Sequence, residues 1–218
     1  MCGSPKLKFQ NQTPTMPQPT SESSRIALVS ALEVILRLRT GQIVVTTMGS
    51  AREWPRLSNH PLDFHYIPSA MGQAPSIGLG LALAQHEREV IVFTGDGSLL
   101  MNLGCLTTLA ASGAKNITLI VLDNGVYEVT GGQKTAGQIA RVDFAGFATA
   151  AGIESVATFD DLIDWQNGAA AVFKMPGPRF VSLIVEPVRG DYFLDVPGPI
   201  RPRIERLRKA LGVAMLSR

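Results

Sequence analysis

Runs of consecutive apolar residues, many of them β-branched, are the feature that most limits how this chain can fold. Residues Val90–Thr94 read Val-Ile-Val-Phe-Thr, and residues Ile117–Leu122 read Ile-Thr-Leu-Ile-Val-Leu. Neither run alternates apolar and polar side chains, as a strand with one face in water does. Such runs are typical of a parallel sheet that helices cover on both faces.

Segments with a helical spacing of apolar residues alternate with these strand-like runs. The predicted strands are Gln42–Thr47, Asp63–Ile67, Val90–Thr94, Ile117–Leu122, Ser155–Thr158 and Phe180–Val185. The predicted helices are 26–38, Ala51–Leu57, Met71–His86, Leu99–Ser112, Asp143–Ala151, Asp160–Phe173 and Ile200–Leu211. This order predicts an α/β fold with a doubly wound, mainly parallel sheet and helices on both faces.

The chain of 218 residues is long enough for one domain with a large core. We expect that domain to span residues 24–218. The preceding segment, residues 1–23, is rich in Pro, Gln, Thr and Ser and has no apolar periodicity, so it is predicted to be a disordered tail.

Charge and cysteine content exclude several classes of protein. A formal net charge of +2, with Lys and Arg scattered along the chain, argues against nucleic-acid binding. Cys2 lies in the polar tail and Cys105 in an apolar helical stretch, which argues against a disulfide framework and against a metal cluster. Residues 1–24 contain no apolar region of the kind a signal peptide has, and no later apolar run reaches the roughly 20 residues needed to cross a membrane. These observations predict a cytoplasmic protein without a membrane partner.

Polar side chains follow two consecutive predicted strands. Gly95-Asp96-Gly97-Ser98 comes directly after one strand, and Asp123-Asn124-Gly125 comes at the end of the next. Carboxyl ends of parallel strands meet at one edge of a sheet, where open α/β sheets bind their ligands. Mg²⁺ takes one or two protein oxygens and leaves its other positions to phosphate and water. The pair Asp96 and Asn124 therefore predicts a magnesium–phosphate site.

These motifs resemble the magnesium and cofactor motif of thiamin diphosphate-dependent enzymes. Ser69–Gly72 and the following small-residue helix are similar to the segment that precedes the motif in the decarboxylase branch of that family. Leu99–Gly104, Asp123–Tyr127 and Thr130–Gln133 closely resemble sulfopyruvate decarboxylase β subunits and phosphonopyruvate decarboxylases. That branch has Asp at position 123, where many other relatives have Asn. The resemblance covers about residues 24–212.

The resemblance implies that Mg²⁺ is bound by side-chain oxygens of Asp96 and Asn124 and by the backbone carbonyl of Val126. It implies that the diphosphate of thiamin diphosphate is bound by the Gly95–Ser98 motif, with the backbone N–H groups of Gly97 and Ser98 and the hydroxyl of Ser98. The resemblance also places Gly49 and Ser50 in a second loop that binds the diphosphate.

Two further roles concern the organic part of the cofactor. The resemblance assigns Met71 to the bulky residue that holds the cofactor in its bent conformation. It assigns the carbonyl of Ser69 to a hydrogen bond from the cofactor's 4′-amino group. From the residues alone, a methionine beside a Gly-rich helix is more often a core residue, and only the resemblance favours the cofactor role for Met71.

The family activates its cofactor with a glutamate from a separate pyrimidine-binding domain, for which this chain has no room. We therefore expect no activating catalytic residue here and a pyrimidine-binding α subunit as the partner. The leading hypothesis is the β subunit of a thiamin diphosphate-dependent decarboxylase of small 2-oxo acids.

Three alternatives stay open from the sequence. The chain could be the β subunit of a 2-oxo acid oxidoreductase, although two isolated cysteines argue against iron–sulfur clusters. It could be a non-catalytic cofactor-binding scaffold, or a homodimer of diphosphate-binding domains that uses the helix Met71–His86 as part of an interface. Tyr127, Glu128 and Gln133 are polar residues of the loop expected to close over the cofactor, where they could contact substrate or partner.

Overall fold

The computed structural model describes residues 25–65, 71–188 and 198–213. The predicted disordered tail and Ser69 lie outside the described residues. Among the described helices, none is both long and apolar enough to cross a membrane.

Six parallel strands form the central sheet, in the order β2-β1-β3-β4-β8-β7. They are β1 (Ile43–Thr46), β2 (Asp63–His65), β3 (Val90–Gly95), β4 (Ile117–Asp123), β7 (Ser155–Phe159) and β8 (Arg179–Ile184). A short antiparallel hairpin, β5 (Val126–Tyr127) and β6 (Gln133–Lys134), follows β4. The predicted strands are all present, and the doubly wound parallel α/β fold is confirmed.

Nine α-helices surround this sheet in the described part of the chain. They are α1 (Leu28–Leu38), α2 (Met48–Leu57), α3 (Ala74–Ala84), α4 (Asp96–Leu100), α5 (Cys105–Ala111), α6 (Ala136–Ala140), α7 (Phe144–Ala150), α8 (Leu162–Val172) and α9 (Ile200–Ala210).

Alternate side chains of each central strand enter two separate cores, one on each face of the sheet. Ile91 and Phe93 of β3 join a core with α1, α2 and α8, which contains the buried Trp54 and Trp165. Val90 and Val92 of β3 join a second core on the other face, with α3, α5 and α7. The strands are apolar throughout because both of their faces are buried.

Helix α3 lies unusually close to the sheet because it has glycine where it crosses β3. A Cβ atom added to Gly78 would lie 2.1 Å from Cγ2 of Val92, whereas Gly80 two residues later has open space around it. Gly78 therefore allows α3 to pack closely against the sheet, whereas Gly80 has no such role.

Four local predictions differ from the structure. Gly49 and Ser50, predicted in a loop before a helix from Ala51, lie in the first turn of α2 (Met48–Leu57). The predicted helix over Leu99–Ser112 is two helices, α4 and α5, separated by a turn over 101–104. The predicted helix from Met71 begins only at Ala74, because Gly72 has a φ of +77° that a right-handed helix does not allow. The segment after Asn124 is not a plain loop, since it forms the β5–β6 hairpin and then the unpredicted α6.

Strand order reverses between β1 and β3. From β1 the chain passes through α2 to β2 at the edge, and it then returns through α3 to β3 on the other side of β1. The segments that leave β1 and β3 therefore diverge and open a crevice at the carboxyl ends of these strands. Open α/β sheets bind ligands at this position.

Candidate functional site

A cavity of about 260 Å³ lies at this crevice, at the carboxyl ends of β1, β3 and β4. It is lined by every predicted site residue that the structure describes: Gly49, Ser50, Met71, Gly95, Asp96, Gly97, Ser98, Asn124 and Val126. The fold therefore brings together residues from four separate stretches of sequence.

Asp96 is the most deeply buried acidic residue of the cavity, with 1% of its surface exposed. Its Oδ2 accepts a hydrogen bond from the hydroxyl of Thr135 at 2.7 Å. Burial raises the pKa of the Asp96 carboxyl, whereas the hydrogen bonds from Thr135 and from backbone groups, including those of Gly97 and Gly125, oppose that rise. The carboxylate is thus held in a low-dielectric position that favours a nearby cation.

Asp123 adds a second acidic group close to Asp96. Burial, followed by the charge of Asp96, raises the pKa of Asp123 to about 6, and the nearby Arg25 guanidinium opposes this rise. Arg25 Nη1 also donates to the backbone carbonyls of Asn124 at 3.0 Å and of Val185 at 3.2 Å. Arg25 therefore ties the end of β4 to the end of β8 directly behind the cavity.

Asn124 has a hydrogen-bonding partner at each end of its carboxamide. Oδ1 accepts from the backbone N–H of Val126 at 3.0 Å, and Nδ2 donates to Oε1 of Glu128 at 2.9 Å. The turn between them depends on Gly125, which has a φ of +74°. An amide oxygen has two lone pairs, so Oδ1 keeps one for another partner.

The motif glycine Gly97 leaves room for an aromatic ring. A Cβ atom at this position would lie 2.3 Å from Cε1 of Tyr127, so the ring rests directly on the Gly97 backbone. Tyr127 forms one wall of the cavity in this way.

Ser98 connects the motif to the segment that contains Met71. Its Oγ accepts from the backbone N–H of Gly72 at 2.8 Å, and Nδ2 of Asn102 donates to the carbonyl of Gly72 at 2.9 Å. Both backbone groups of Gly72 are thus bound by side chains near the motif, which fixes the adjacent Met71 at the cavity wall.

The amino-terminal end of α2 forms the opposite side of the cavity. There Ser50 is fully buried, and its Oγ donates to the carbonyl of Thr47 at 2.7 Å and accepts from Thr47 N at 3.2 Å. The Thr47 hydroxyl is also buried; its oxygen faces the Ser50 N–H in a capping box, and its own proton has no acceptor within the described part of the chain. A buried hydroxyl whose proton has no acceptor, at a helix amino terminus, fits an anionic ligand.

Apolar side chains complete the cavity between these polar ends. Leu28, Leu122 and Val185 are buried, whereas Met101 is 58% exposed at the rim. The cavity therefore combines a polar end with an apolar wall.

Sequence reasoning missed four residues that hold the site in place: Thr135, Asn102, Arg25 and Thr47. Thr135 and Asn102 lie within or next to segments that carry the family resemblance, but neither has a spacing that reveals its contact. Arg25 contacts Asn124 across 99 residues of sequence, which no local pattern predicts.

No group of three or more His, Cys, Asp or Glu side chains is arranged to hold a metal ion in the described ranges. A cation in this cavity would therefore depend on a mixed set of carboxylate, carboxamide and backbone oxygens. Such hard oxygen donors suit Mg²⁺.

The fold and the cavity define an open-sheet α/β protein with a ligand site at its switch point. The family model described as the thiamine pyrophosphate enzyme, C-terminal TPP binding domain, matches residues 42–183. The chain belongs to this family.

Two curated relatives are each 38% identical to the chain. One is a phosphonopyruvate decarboxylase from Streptomyces viridochromogenes, aligned over 78% of this chain and 42% of the relative. The other is the sulfopyruvate decarboxylase subunit beta from Methanothermobacter thermautotrophicus, aligned over 75% of this chain and 84% of the relative. The chain thus spans less than half of the first relative and most of the second.

A solved structure supports the fold. An X-ray structure from Mycobacterium smegmatis, described as a thiamin diphosphate-dependent enzyme, superposes with a TM-score of 0.63 at 18% identity. The superposition covers 81% of this chain and 36% of that chain.

Proposed function

We propose that this chain is the diphosphate- and magnesium-binding subunit of a thiamin diphosphate-dependent 2-oxo acid decarboxylase. The observation that carries the proposal is the meeting of Asp96 and Asn124 at the ends of adjacent strands, across a cavity from the Thr47 hydroxyl. The two 38%-identical relatives, both named as decarboxylases, support the choice of reaction.

Mg²⁺ is proposed to bind Asp96, the Asn124 carboxamide oxygen and the Val126 carbonyl. Electrostatics gives an independent reason for a cation here. The cavity end formed by Asp96, with Asp123 close to it, is acidic and would repel a diphosphate, because like charges at short range in a buried site are costly. A divalent cation bound at Asp96 would offset that repulsion.

The diphosphate is proposed to bind Gly49 and Ser50 on one side and Gly95, Gly97 and Ser98 on the other. Helix α2 has 10 residues, and its first-turn N–H groups offer the positive end of a helix dipole. The Thr47 hydroxyl supplies a further donor there. The glycines allow the backbone to approach an anion closely.

Met71 and the apolar wall are proposed to support the organic rings of the cofactor. Gly72 is hydrogen-bonded through both its N–H and its carbonyl. These bonds restrict the backbone of the adjacent Met71, whose side chain would contact the cofactor's rings. The role of the Ser69 carbonyl toward the 4′-amino group remains part of this proposal, although Ser69 lies outside the described residues.

Bound thiamin diphosphate supplies an electron sink for the loss of carbon dioxide from a 2-oxo acid. The residues of this chain bind the cofactor's charged end, orient its rings and line the space with apolar groups. None of them is proposed as the activating acid, which is assigned to a glutamate of a pyrimidine-binding α subunit. A hetero-oligomer of the two chains is the proposed active form.

Reconstitution tests this proposal. The chain is mixed with the pyrimidine-binding subunit of the same organism, Mg²⁺ and thiamin diphosphate, and carbon dioxide release from sulfopyruvate, phosphonopyruvate and pyruvate is measured. We expect release from at least one substrate by the mixture and from none by either chain alone. Full activity of this chain by itself would refute the need for a partner.

The same preparation separates the alternatives. A 2-oxo acid oxidoreductase subunit would reduce a viologen dye in the presence of coenzyme A instead of releasing product without an acceptor. A non-catalytic scaffold would support neither reaction. The cytoplasm is the proposed location, because Cys105 is a free, buried thiol of the kind that reducing compartments maintain.

A further inference from the structure

Glu128 makes two hydrogen bonds that the proposed roles above do not use. It begins the 3₁₀ turn Glu128–Thr130, between the two strands of the hairpin. Its Oε1 accepts from Asn124 Nδ2 at 2.9 Å and from the backbone N–H of Val188 at 2.7 Å. One carboxylate oxygen therefore joins the Asn124 side chain to the segment that follows β8.

The two ends of a carboxamide have almost the same shape but opposite hydrogen-bonding character. At Asn124, the Val126 N–H faces Oδ1 and the Glu128 carboxylate faces Nδ2. A rotated carboxamide would turn its NH₂ group toward the Val126 N–H and its oxygen toward the carboxylate. Both contacts would become repulsive, so the two partners together select one orientation.

The Glu128 carboxylate is itself held before any ligand arrives. The Gly131 N–H donates to the Glu128 carbonyl at 3.3 Å, and the Gly132 N–H donates to the Tyr127 carbonyl at 2.9 Å. Gly131 closes the turn with a φ of +111°, which favours glycine. The turn and the Val188 N–H thus fix the carboxylate from two directions.

The Glu128 carboxylate also contributes a negative charge to the cavity. Among the described residues Glu128 forms no salt bridge, and it lines the same cavity as Asp96. Its other oxygen, Oε2, faces Gly49, where an added Cβ would lie at 3.4 Å. The carboxylate therefore reaches across the cavity toward α2, so a diphosphate bound at Gly49 would need a cation nearby to offset the charge of Glu128 as well as that of Asp96.

We propose that Glu128 is a positioning residue that holds the Asn124 carboxamide in the one orientation that leaves a lone pair of Oδ1 free for a cation. Glu128 acts through Asn124 and does not itself bind the metal. This inference rests on the proposed function, because it assigns Asn124 the cation that the proposal places there. Partners of metal ligands commonly have such a role, and their loss typically lowers metal affinity about 10- to 100-fold.

Three variants test the role. Glu128→Ala removes both hydrogen bonds, and Glu128→Gln keeps an acceptor oxygen of the same reach but removes the charge. Glu186→Ala is the matched control, since it removes an exposed carboxylate near the same edge of the sheet. Circular dichroism and urea unfolding establish that each variant is folded.

The first measurement uses the cofactor-free chain. In ¹H–¹⁵N spectra, the Asn124 side-chain amide is expected to show one strongly shifted, slowly exchanging proton in the wild type, in Glu128→Gln and in Glu186→Ala. Glu128→Ala is expected to lose that signature. Retention of the signature in Glu128→Ala would overturn the proposed orientation.

The second measurement is Mg²⁺-dependent affinity for thiamin diphosphate by calorimetry, with the chain alone and with its pyrimidine-binding partner. Glu128→Ala is expected to bind about 10- to 100-fold more weakly, and Glu128→Gln is expected to recover most of the loss. If the wild type binds the cofactor and Glu128→Ala binds it with the same affinity, the proposed role of Glu128 is overturned and the proposed function is not. A wild-type chain that binds no cofactor in either preparation overturns the proposed function, and this role with it.

Discussion

The hydroxyl of Thr135 donates a hydrogen bond to Oδ2 of Asp96 at 2.7 Å, across 39 residues of sequence. Both side chains are almost completely buried. Thr135 also caps α6, because its Oγ1 accepts from the Gln138 N–H at 3.1 Å. One hydroxyl thus supports a proposed metal ligand and begins a helix.

Replacing Thr135 by valine should therefore destabilise the protein. Thr135→Val keeps the side-chain shape but leaves a buried Asp96 oxygen without its donor, and the α6 cap is lost. We expect the free energy of unfolding in urea to fall by about 1–3 kcal/mol. Thr135→Ser retains the hydroxyl and should recover most of this loss. Equal stability of the valine and serine variants would contradict the assigned contact.

Replacing Asp96 by asparagine should separate stability from ligand binding. Burial raises the pKa of Asp96, so the charged form is costly without a cation, and a neutral residue of the same shape relieves that cost. We expect the ligand-free Asp96→Asn protein to unfold at the wild-type temperature or above.

The same variant should lose the stabilisation that Mg²⁺ and thiamin diphosphate give together. For the wild type this amounts to about 2.7 kcal/mol at a ligand concentration of 100 times Kd. Thermal unfolding with and without both ligands measures the difference. Glu154→Gln, which removes an exposed carboxylate elsewhere, serves as the control and should respond to the ligands like the wild type.

Two glycines of α3 should respond in opposite ways to alanine. Gly78→Ala places a methyl group against Val92 of the sheet and should lower the free energy of unfolding by about 1–3 kcal/mol. Gly80→Ala meets no atom within 4 Å and should raise it by up to about 1 kcal/mol, because alanine is the better helix former. Similar effects of both changes would show that α3 does not approach the sheet as described.

The buried thiol of Cys105 should be inert in the native protein at neutral pH. Burial raises its pKa from 9.0 to about 11, and the thiolate is the reactive form. In a Cys2→Ser background, Ellman's reagent at pH 8 should modify Cys105 slowly, and rapidly once urea unfolds the chain. Rapid modification of the folded protein would contradict the burial.

The same pKa shift predicts how stability depends on pH. The folded-state pKa is the higher one, so the contribution of Cys105 is fully present below pH 9. It is lost as the pH rises from about 9 to about 11, because the unfolded thiol ionises first. Urea unfolding at several pH values should show this decline in the wild type, and Cys105→Ala should lack that part of it.

The strands and the two polar strand ends were predictable from sequence because they depend on local pattern and on one topological rule. Apolar runs indicate buried parallel strands, and parallel strands end at one edge, so Asp96 and Asn124 had to meet. The packing of the Tyr127 ring against Gly97 was not predicted, and the role of Gly97 toward a diphosphate stays a prediction.

The supporting contacts could not be predicted in this way. The Glu128 contact with Val188 and the Arg25 contact with Asn124 join residues 60 and 99 positions apart, and their geometry is set by how whole elements pack. The break between α4 and α5 has a similar origin. Leu99 and Leu106 follow a helical spacing, and only the tertiary structure shows the turn that separates them.

The site joins two parts of the molecule that differ in how easily they open. Asp96 follows β3, which is paired along its length with β4 and partly with β1, so its position changes only when the centre of the sheet unfolds. The β5–β6 hairpin has two residues in each strand, and Gln133 and Lys134 are exposed. Its strand pairing is short, so opening the hairpin must break mainly the Glu128 contacts with Asn124 and Val188, and partial openings of this kind need less free energy than global unfolding. Because the hairpin lines the cavity, we expect the residence time of a bound molecule to follow the opening rate of the hairpin and not the stability of the sheet.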